Sequence, residues 1–440
     1  MRYRTMKKQL LTAAVLVTMA SLLLAACSST KSTAKAATQK ATLTVAVFNP
    51  FSGPKATYGP MMMAGCIPAV RLINADGGVL GHKLNCLPVD TRGDPADAVP
   101  AADKLIATEG SRLLMVLGPS TVEALSTGPI FNAAKVPFFP DAGVAQWDRT
   151  SYKYLWRLIP PDAGDGFAQA EWAHEKGYTR AAAIYASVVS TTGTPAGVKA
   201  GFPALGGKIV FSATLTPAQP TYETVITSML AAHPQVIFYD AGPRTSATFF
   251  SELKALGGLM PVIGPEVILE PAWVTAVNGV LGASTTSKYI SIVETYVDTH
   301  AAGYPTFKSA LLGSSSQVPN ASTYIDDPFV IANYNAINMM ALAMLQTHST
   351  NRVVANKDLM SIITPKPGAV VVNSFAAGKK AILAGKKIQY VGAGGPIVLN
   401  RYHNTAGGYR VVTDSLTPTT LGQVSQSAVT HLLSRASSAS

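Results

Sequence analysis

Three acids stand at or just after the ends of short apolar runs, where a strand hands over to a loop. Asp141 closes Val136-Pro137-Phe138-Phe139-Pro140-Asp141, and Asp240 closes Val236-Ile237-Phe238-Tyr239-Asp240. Glu266 follows Met260-Pro261-Val262-Ile263-Gly264-Pro265. A buried carboxylate without a partner is costly, so acids in such positions suit a ligand that brings an ammonium or several donors. The nearby cation is Arg244, in the turn Gly242-Pro243-Arg244-Thr245.

The acids belong to a unit that occurs twice. Leu113-Leu114-Met115-Val116-Leu117 meets Gly118-Pro119-Ser120-Thr121, and the next apolar run starts at Pro137, 19 residues after Gly118. The second copy repeats that spacing from Gly242 to Pro261, offset by 124 residues. Continuous apolar runs of strand length joined through a helix predict buried parallel strands. Ligands of such sheets sit beyond the carboxyl ends of the strands, where helix N-termini present free N–H groups. Two copies predict two similar lobes with facing strand-end loops.

Catalytic signatures do not accompany this pattern. The seven histidines are scattered, and His174-Glu175 has no second histidine at zinc spacing. There is no Gly-x-Ser-x-Gly elbow and no phosphate loop ending in Gly-Lys-Ser/Thr. Gly392-Ala393-Gly394-Gly395 lacks the spacing and the acid of a dinucleotide site, so neither a cofactor nor a metal is expected. A charged fraction of 13% with 48% hydrophobic residues fits a globular chain. The basic residues form no stripe interleaved with aromatics, so nucleic acid is not an expected partner.

The first forty residues read as an address. Arg2, Arg4, Lys7 and Lys8 precede an apolar run from Leu10 to Ala26, the pattern of a secretory signal. The end of that run, Leu24-Ala25-Ala26-Cys27, resembles a bacterial lipobox, which implies that Cys27 takes lipid and becomes the first mature residue on the outer face of a membrane. Losing the four basic residues before it takes the net charge from +11 to +7. Residues 28–40 carry no large apolar side chain and predict a flexible tether of roughly 20 Å. Outside the cytosol Cys66 and Cys86 form either a disulfide, closing a 20-residue loop, or two buried thiols.

Along the rest of the chain, Thr42 to Phe48 and Leu84 to Val89 predict strands. A helix runs to Asn74 before the Gly77-Gly78 stop, with Pro68 expected to kink it or delay its start. Asp94-Pro95 supplies a cap and first-turn proline for a helix to Thr108. After Pro160-Pro161 the pattern restarts with a helix over 163–176, a strand over Ala181–Tyr185, a loop over 190–197 and a strand from Lys208 to Phe211.

Taken together, the chain resembles the type I periplasmic binding proteins of the leucine/branched-chain amino-acid-binding family, the solute receptors of ABC importers. The resemblance rests on Phe51-Ser52-Gly53-Pro54 with Tyr58-Gly59, on Arg71-Leu72-Ile73-Asn74-Ala75-Asp76-Gly77-Gly78-Val79-Leu80-Gly81, on Asp90 to Ala98, Leu117 to Thr121, Val136 to Pro140, Gly264-Pro265-Glu266 and Gly385 to Pro396, and covers about 42–412. It implies an α/β fold of two doubly wound parallel-sheet lobes joined by three hinge crossings, near 160, 286 and 405. The expected divisions are a signal peptide over 1–26, a lipidated tether over 27–41, lobe 1 over 42–160 and 287–405, and lobe 2 over 161–286 and 406–440. It also implies a small amino-acid-like ligand or amide, a permease and ATPase as partners, and no enzymatic role. A membrane-tethered sensor of the same fold and, more remotely, a hydrolase are the alternatives.

The family pattern assigns residues to the cleft. Ser120 and Thr121 match its hydroxyl loop, or cap their own helix. Asp141-Ala142-Gly143 falls where the family has a small-residue loop ending in Thr, so Gly143 removes one expected bond. Glu266 matches the acid facing the ligand ammonium, or is a surface acid after a turn. Tyr58 matches an aromatic at the mouth, or packs the first loop. Thr192-Gly193 stands where the family often has Tyr-Gly, and Asp240 completes the acidic set.

Overall fold

The structure is a computed structural model and describes residues 40–53, 55–186 and 193–438. The expected signal peptide and Cys27 lie outside the described residues.

β1 (Leu43–Asn49) is buried at every position, as a strand covered on both faces must be. It lies between β2 (Leu84–Asp90) and β3 (Leu113–Ser120), with β4 (Phe138–Asp141) beyond β3, and all four run parallel. The connecting helices are α1 (Tyr58–Ala75), α2 (Pro95–Glu109) and α3 (Thr121–Ala133). α2 starts where its cap dictates: the Asp94 carboxylate accepts from the Ala96 N–H at 2.8 Å, and Pro95 takes a first-turn place that needs no donor.

Pro68 does not delay the start of α1, which runs from Tyr58 to Ala75 with Pro68 buried inside it. Packing overrides the local penalty here. α1 lies against the helix Pro328–Gln346, so closely at Gly65 that an added Cβ would come within 2.5 Å of the Val330 carbonyl oxygen. That helix is capped by Asp327, which accepts from the Phe329 and Val330 N–H groups at 2.9 Å each. It is apolar and long enough to cross a bilayer, but 89% of its most apolar stretch is buried within the protein. It therefore serves as the central core helix of the first lobe.

The second sheet takes the strands that follow. β5 (Arg180–Ala186), β6 (Lys208–Leu215), β7 (Val236–Asp240), β8 (Val262–Pro265) and β9 (Ile290–Thr295) run parallel in the spatial order β9-β8-β7-β5-β6. α4 (Asp162–Glu175) and α5 (Gly193–Ala204) pack together and contribute to the core of this lobe. A small parallel pair, β10 (Val370–Val372) and β11 (Ile388–Tyr390), stands apart from both main sheets. β12 (Tyr409–Thr413) then joins β9 antiparallel, and β13 (Thr420–Val424) closes that edge.

Both Gly-Pro units fold as strand, helix, parallel strand: β3, α3 and β4 in one sheet, and β7, the helix Pro243–Ala255 and β8 in the other. The crossing expected near 286 comes later, after Thr295. Ile290 to Val293 pair with Val262 to Pro265, which keeps that run in the second sheet.

The other two crossings are bound to each other. The Arg157 N–H donates to the His403 carbonyl at 2.9 Å, and the Thr405 N–H donates to the Arg157 carbonyl at 3.1 Å. Trp156 stacks on His403 with centroids 3.8 Å apart. The fully buried Arg157 guanidinium donates to Asn404 Oδ1 at 2.9 Å and to the Val144 carbonyl at 3.0 Å, and it pairs with Asp148.

Of the two states open to Cys66 and Cys86, the structure has the disulfide, tying α1 to β2 across 20 residues. Loop-closure entropy for that span gives a contribution of roughly 3 kcal/mol. Replacing both cysteines by alanine should lower the unfolding free energy by about that amount in denaturant titration, with the fold retained.

Candidate ligand-binding cleft

A cavity of about 210 Å³ lies between the strand ends of the two sheets. The first lobe contributes Tyr58 from the start of α1, Thr121 from the start of α3, and Asp141 and Gly143 from the end of β4. The second contributes Asp162 and Asp165 from the first turn of α4, Thr194 from α5, Pro265 and Glu266 after β8, and Tyr409 from β12. Ile159, Val267, Val293 and Phe329 supply apolar wall. A neighbouring cavity of about 480 Å³ shares Ile159, Pro160, Thr295, Pro328 and Tyr409 but has no charged lining residue, so the charge chemistry is confined to the first.

Tyr58, Thr121, Asp141, Gly143 and Glu266 are therefore brought together as the family pattern implied. Ser120 and Ala142 are buried beside them, without lining the cavity. Ser120 is occupied: its hydroxyl donates at 2.6 Å to Glu123, whose other oxygen accepts from Thr91 at 2.6 Å. Asp240 ends β7 behind the wall, buried and paired in register with Tyr185 on β5. Thr192 lies outside the described residues. Arg244, the cation expected nearby, is exposed and does not line the cavity.

Asp162 and Asp165 were not singled out in the sequence. Two acids in the first turn of a helix satisfy its dipole, and that ordinary role conceals any other. Their importance comes from the crossing at 160, which aims the start of α4 into the cleft. Gly143 explains part of it, since a Cβ there would overlap the Asp162 carboxylate. The space that a Thr side chain would fill in the family pattern is taken by an acid from the other lobe. Tyr409, also missed, is only 2% exposed, and its hydroxyl has no hydrogen-bond partner.

Among the described residues, no cation lines the cavity beside its four carboxylates. Asp141 is 7% exposed and neither of its oxygens meets hydrogen-bond geometry. The Asn49 amide is near enough to draw its pKa down in part, but donates to the Leu117 carbonyl at 3.3 Å. Burial holds the Asp141 carboxyl well above the usual range, and Glu123 pushes it the same way. Asp165 is raised by burial and then by Glu266, although Thr194 and Gln169 each donate to one of its oxygens at 3.3 Å. Burial takes Asp162 to about 6 despite the field of Arg157. Glu266 keeps surface open to cleft water, yet atoms crowd it on every side, which moves it to about 7, and Glu294 adds to the shift. Two nearby arginines are already engaged elsewhere, Arg157 with Asp148 and Arg410 with Glu294.

Comparison with known proteins agrees with this geometry. A sequence profile of periplasmic binding proteins matches residues 42–359. The chain belongs to that family. Among its relatives, the Leu/Ile/Val/Thr-binding protein of Salmonella typhimurium is 25% identical over 50% of this chain and 61% of its own length. A putative branched-chain amino acid ABC transporter from Rhodospirillum rubrum has the same fold, with a TM-score of 0.63 and 19% identity over 86% of this chain and 100% of that one. A solute binding protein from R. palustris in complex with benzoate superposes with a TM-score of 0.60 and 17% identity, covering 87% of this chain and 96% of that one. This periplasmic binding protein therefore shares its fold with receptors of chemically different solutes, and its own cleft must decide the ligand. Binding, not turnover, is the work of the family.

The charge arrangement has a pH signature in the ligand-free protein. A carboxyl whose pKa is raised by folding stabilises the fold when protonated, and that contribution is lost as pH rises through the folded value. For Asp162 and Glu266 the loss runs from their ordinary values up to about 6 and about 7. Asp141→Asn removes the most enclosed of these charges. In thermal unfolding without ligand, the variant should match the parent near pH 4 and exceed it at pH 8. Equal melting temperatures at both values would mean that Asp141 has a counter-charge after all.

Proposed function

We propose that this chain is the extracytoplasmic receptor of an ABC importer, capturing a small amine-bearing, amino-acid-like solute between its lobes and delivering it to a membrane permease. The observation that carries the reading is the cavity walled by both lobes, with acids from each. A solute that touches both walls binds the closed arrangement better than the open one, so it shifts the population towards closure. The three crossings are the natural hinges, and the closed lobe tips are the surface a permease reads. Micromolar affinity corresponds to roughly −8 kcal/mol, within reach of a few charge-assisted hydrogen bonds in a dried cleft.

Export and anchoring through Cys27 complete the proposal, supported by the Leu24-Ala25-Ala26-Cys27 signature. A lipid on Cys27 would hold the receptor at the membrane through the tether, keeping it close to its permease.

A thermal-shift screen over amino acids, amides, ureas and amines tests the reading. A true ligand at 100 times its dissociation constant should add about 2.7 kcal/mol of stability. Glu266→Gln should weaken that shift without lowering the melting temperature of the free protein. If every solute left the transition unmoved, the cavity would not be a receptor site.

A further inference from the structure

This inference rests on the reading of the cavity as the solute site and concerns which solutes it accepts. An α-amino acid brings one ammonium and one carboxylate. The place for the carboxylate would be the Ser120–Thr121 turn at the start of α3. Here that place is hostile to an anion. The Ser120 hydroxyl proton points to Glu123, which is fully buried and also takes the Thr91 hydroxyl. Ser120 pairs in register with Asp141 on the adjacent strand. An incoming carboxylate would meet Asp141 beside Ser120 and Glu123 bonded to it, and among the described residues no arginine, lysine or histidine lines the cavity to offset them.

Two enclosed groups ask for a ligand rather than tolerate one. Asp141 is more than nine-tenths buried, lines the cavity, and has no hydrogen bond to either oxygen. Tyr409 is 2% exposed, lines the same cavity from the other lobe, and leaves its hydroxyl unpaired. Buried polar groups normally have partners, and an ionised carboxylate accepts only donors. One ammonium brings a single charge and three N–H donors. It cannot answer Asp141 in the first lobe together with Asp162, Asp165 and Glu266 in the second. The same cavity is also lined by Ile159, Val267, Val293 and Phe329, apolar surface that suits a run of methylenes.

We propose that the cleft binds an unbranched aliphatic diamine or polyamine, with one ammonium on Asp141 and a second among Asp162, Asp165 and Glu266, and no carboxylate. Each lobe then holds one end of the same cation, and closure neutralises both rims at once. The exported chain carries a net charge of +7, so polyamine attraction to its surface at large is disfavoured and binding should be confined to one site.

Isothermal titration of the mature chain with 1,5-diaminopentane, spermidine, leucine and leucinamide tests this. The expected result is one site for a diamine or spermidine, about 100-fold tighter than leucine. Asp141→Asn should weaken that binding at least tenfold or so, since it removes one charge-assisted contact. Glu266→Gln should do the same from the other lobe, so the outcome does not depend on one variant folding. Tighter binding of leucine or leucinamide than of either amine would overturn the diamine assignment and leave the receptor reading intact. Amine binding that neither variant weakens would also overturn it, by placing the amine elsewhere. A chain that binds none of these probes, and no solute in the thermal-shift screen, would remove the receptor reading as well.

Discussion

Four carboxylates around one cavity, with no cation in its lining among the described residues, are the constraint under which this structure is built. Burial raises the pKa of all four, and Asp165 is raised further by Glu266 and Asp162. The arginines close enough to relieve them are held by other acids: Arg157 by Asp148 at the crossings, and Arg410 by Glu294 on the second sheet. That arrangement leaves the positive charge to be supplied from outside.

The scaffold makes the arrangement possible. Parallel sheets put every strand end on one rim, and the repeated Gly-Pro unit gives each lobe a strand, a helix start and an acid at that rim. The disulfide ties α1 to β2 within the first lobe, and the Arg157 cluster ties two of the crossings together. The rims belong to separate sheets and meet where the Asp162 N–H donates to the Gly143 carbonyl at 3.0 Å. On the proposed reading, a solute that neutralises acids of both rims would favour the closed arrangement.

Much of this was legible in the residues. The equal 19-residue spacings found both rims, and Asp94-Pro95 marked the start of α2 correctly. Asp141, Glu266, Tyr58 and Thr121 were drawn into the cleft as the family pattern implied. The failures have physical causes. Pro68 did not delay the start of α1, which packs closely on the helix Pro328–Gln346. Ile290 to Val293 joined the second sheet because an apolar β run goes to the nearest open edge, which local sequence does not reveal. Asp162 and Asp165 looked like routine first-turn acids, and only the path of the crossing turns them into the cleft. Arg244 points to solvent because its place in the first turn of its helix sets the face it occupies.

The most direct measurement is a carboxyl-carbon NMR titration of the ligand-free protein labelled at Asp and Glu, assigned with the Asn and Gln variants. The account predicts that Asp162 and Glu266 titrate near 6 and 7, and that Asp141 and Asp165 stay protonated well above the ordinary range. Four ordinary titrations below pH 5 would mean that the cleft already holds its own counter-charge, and the central claim would fail.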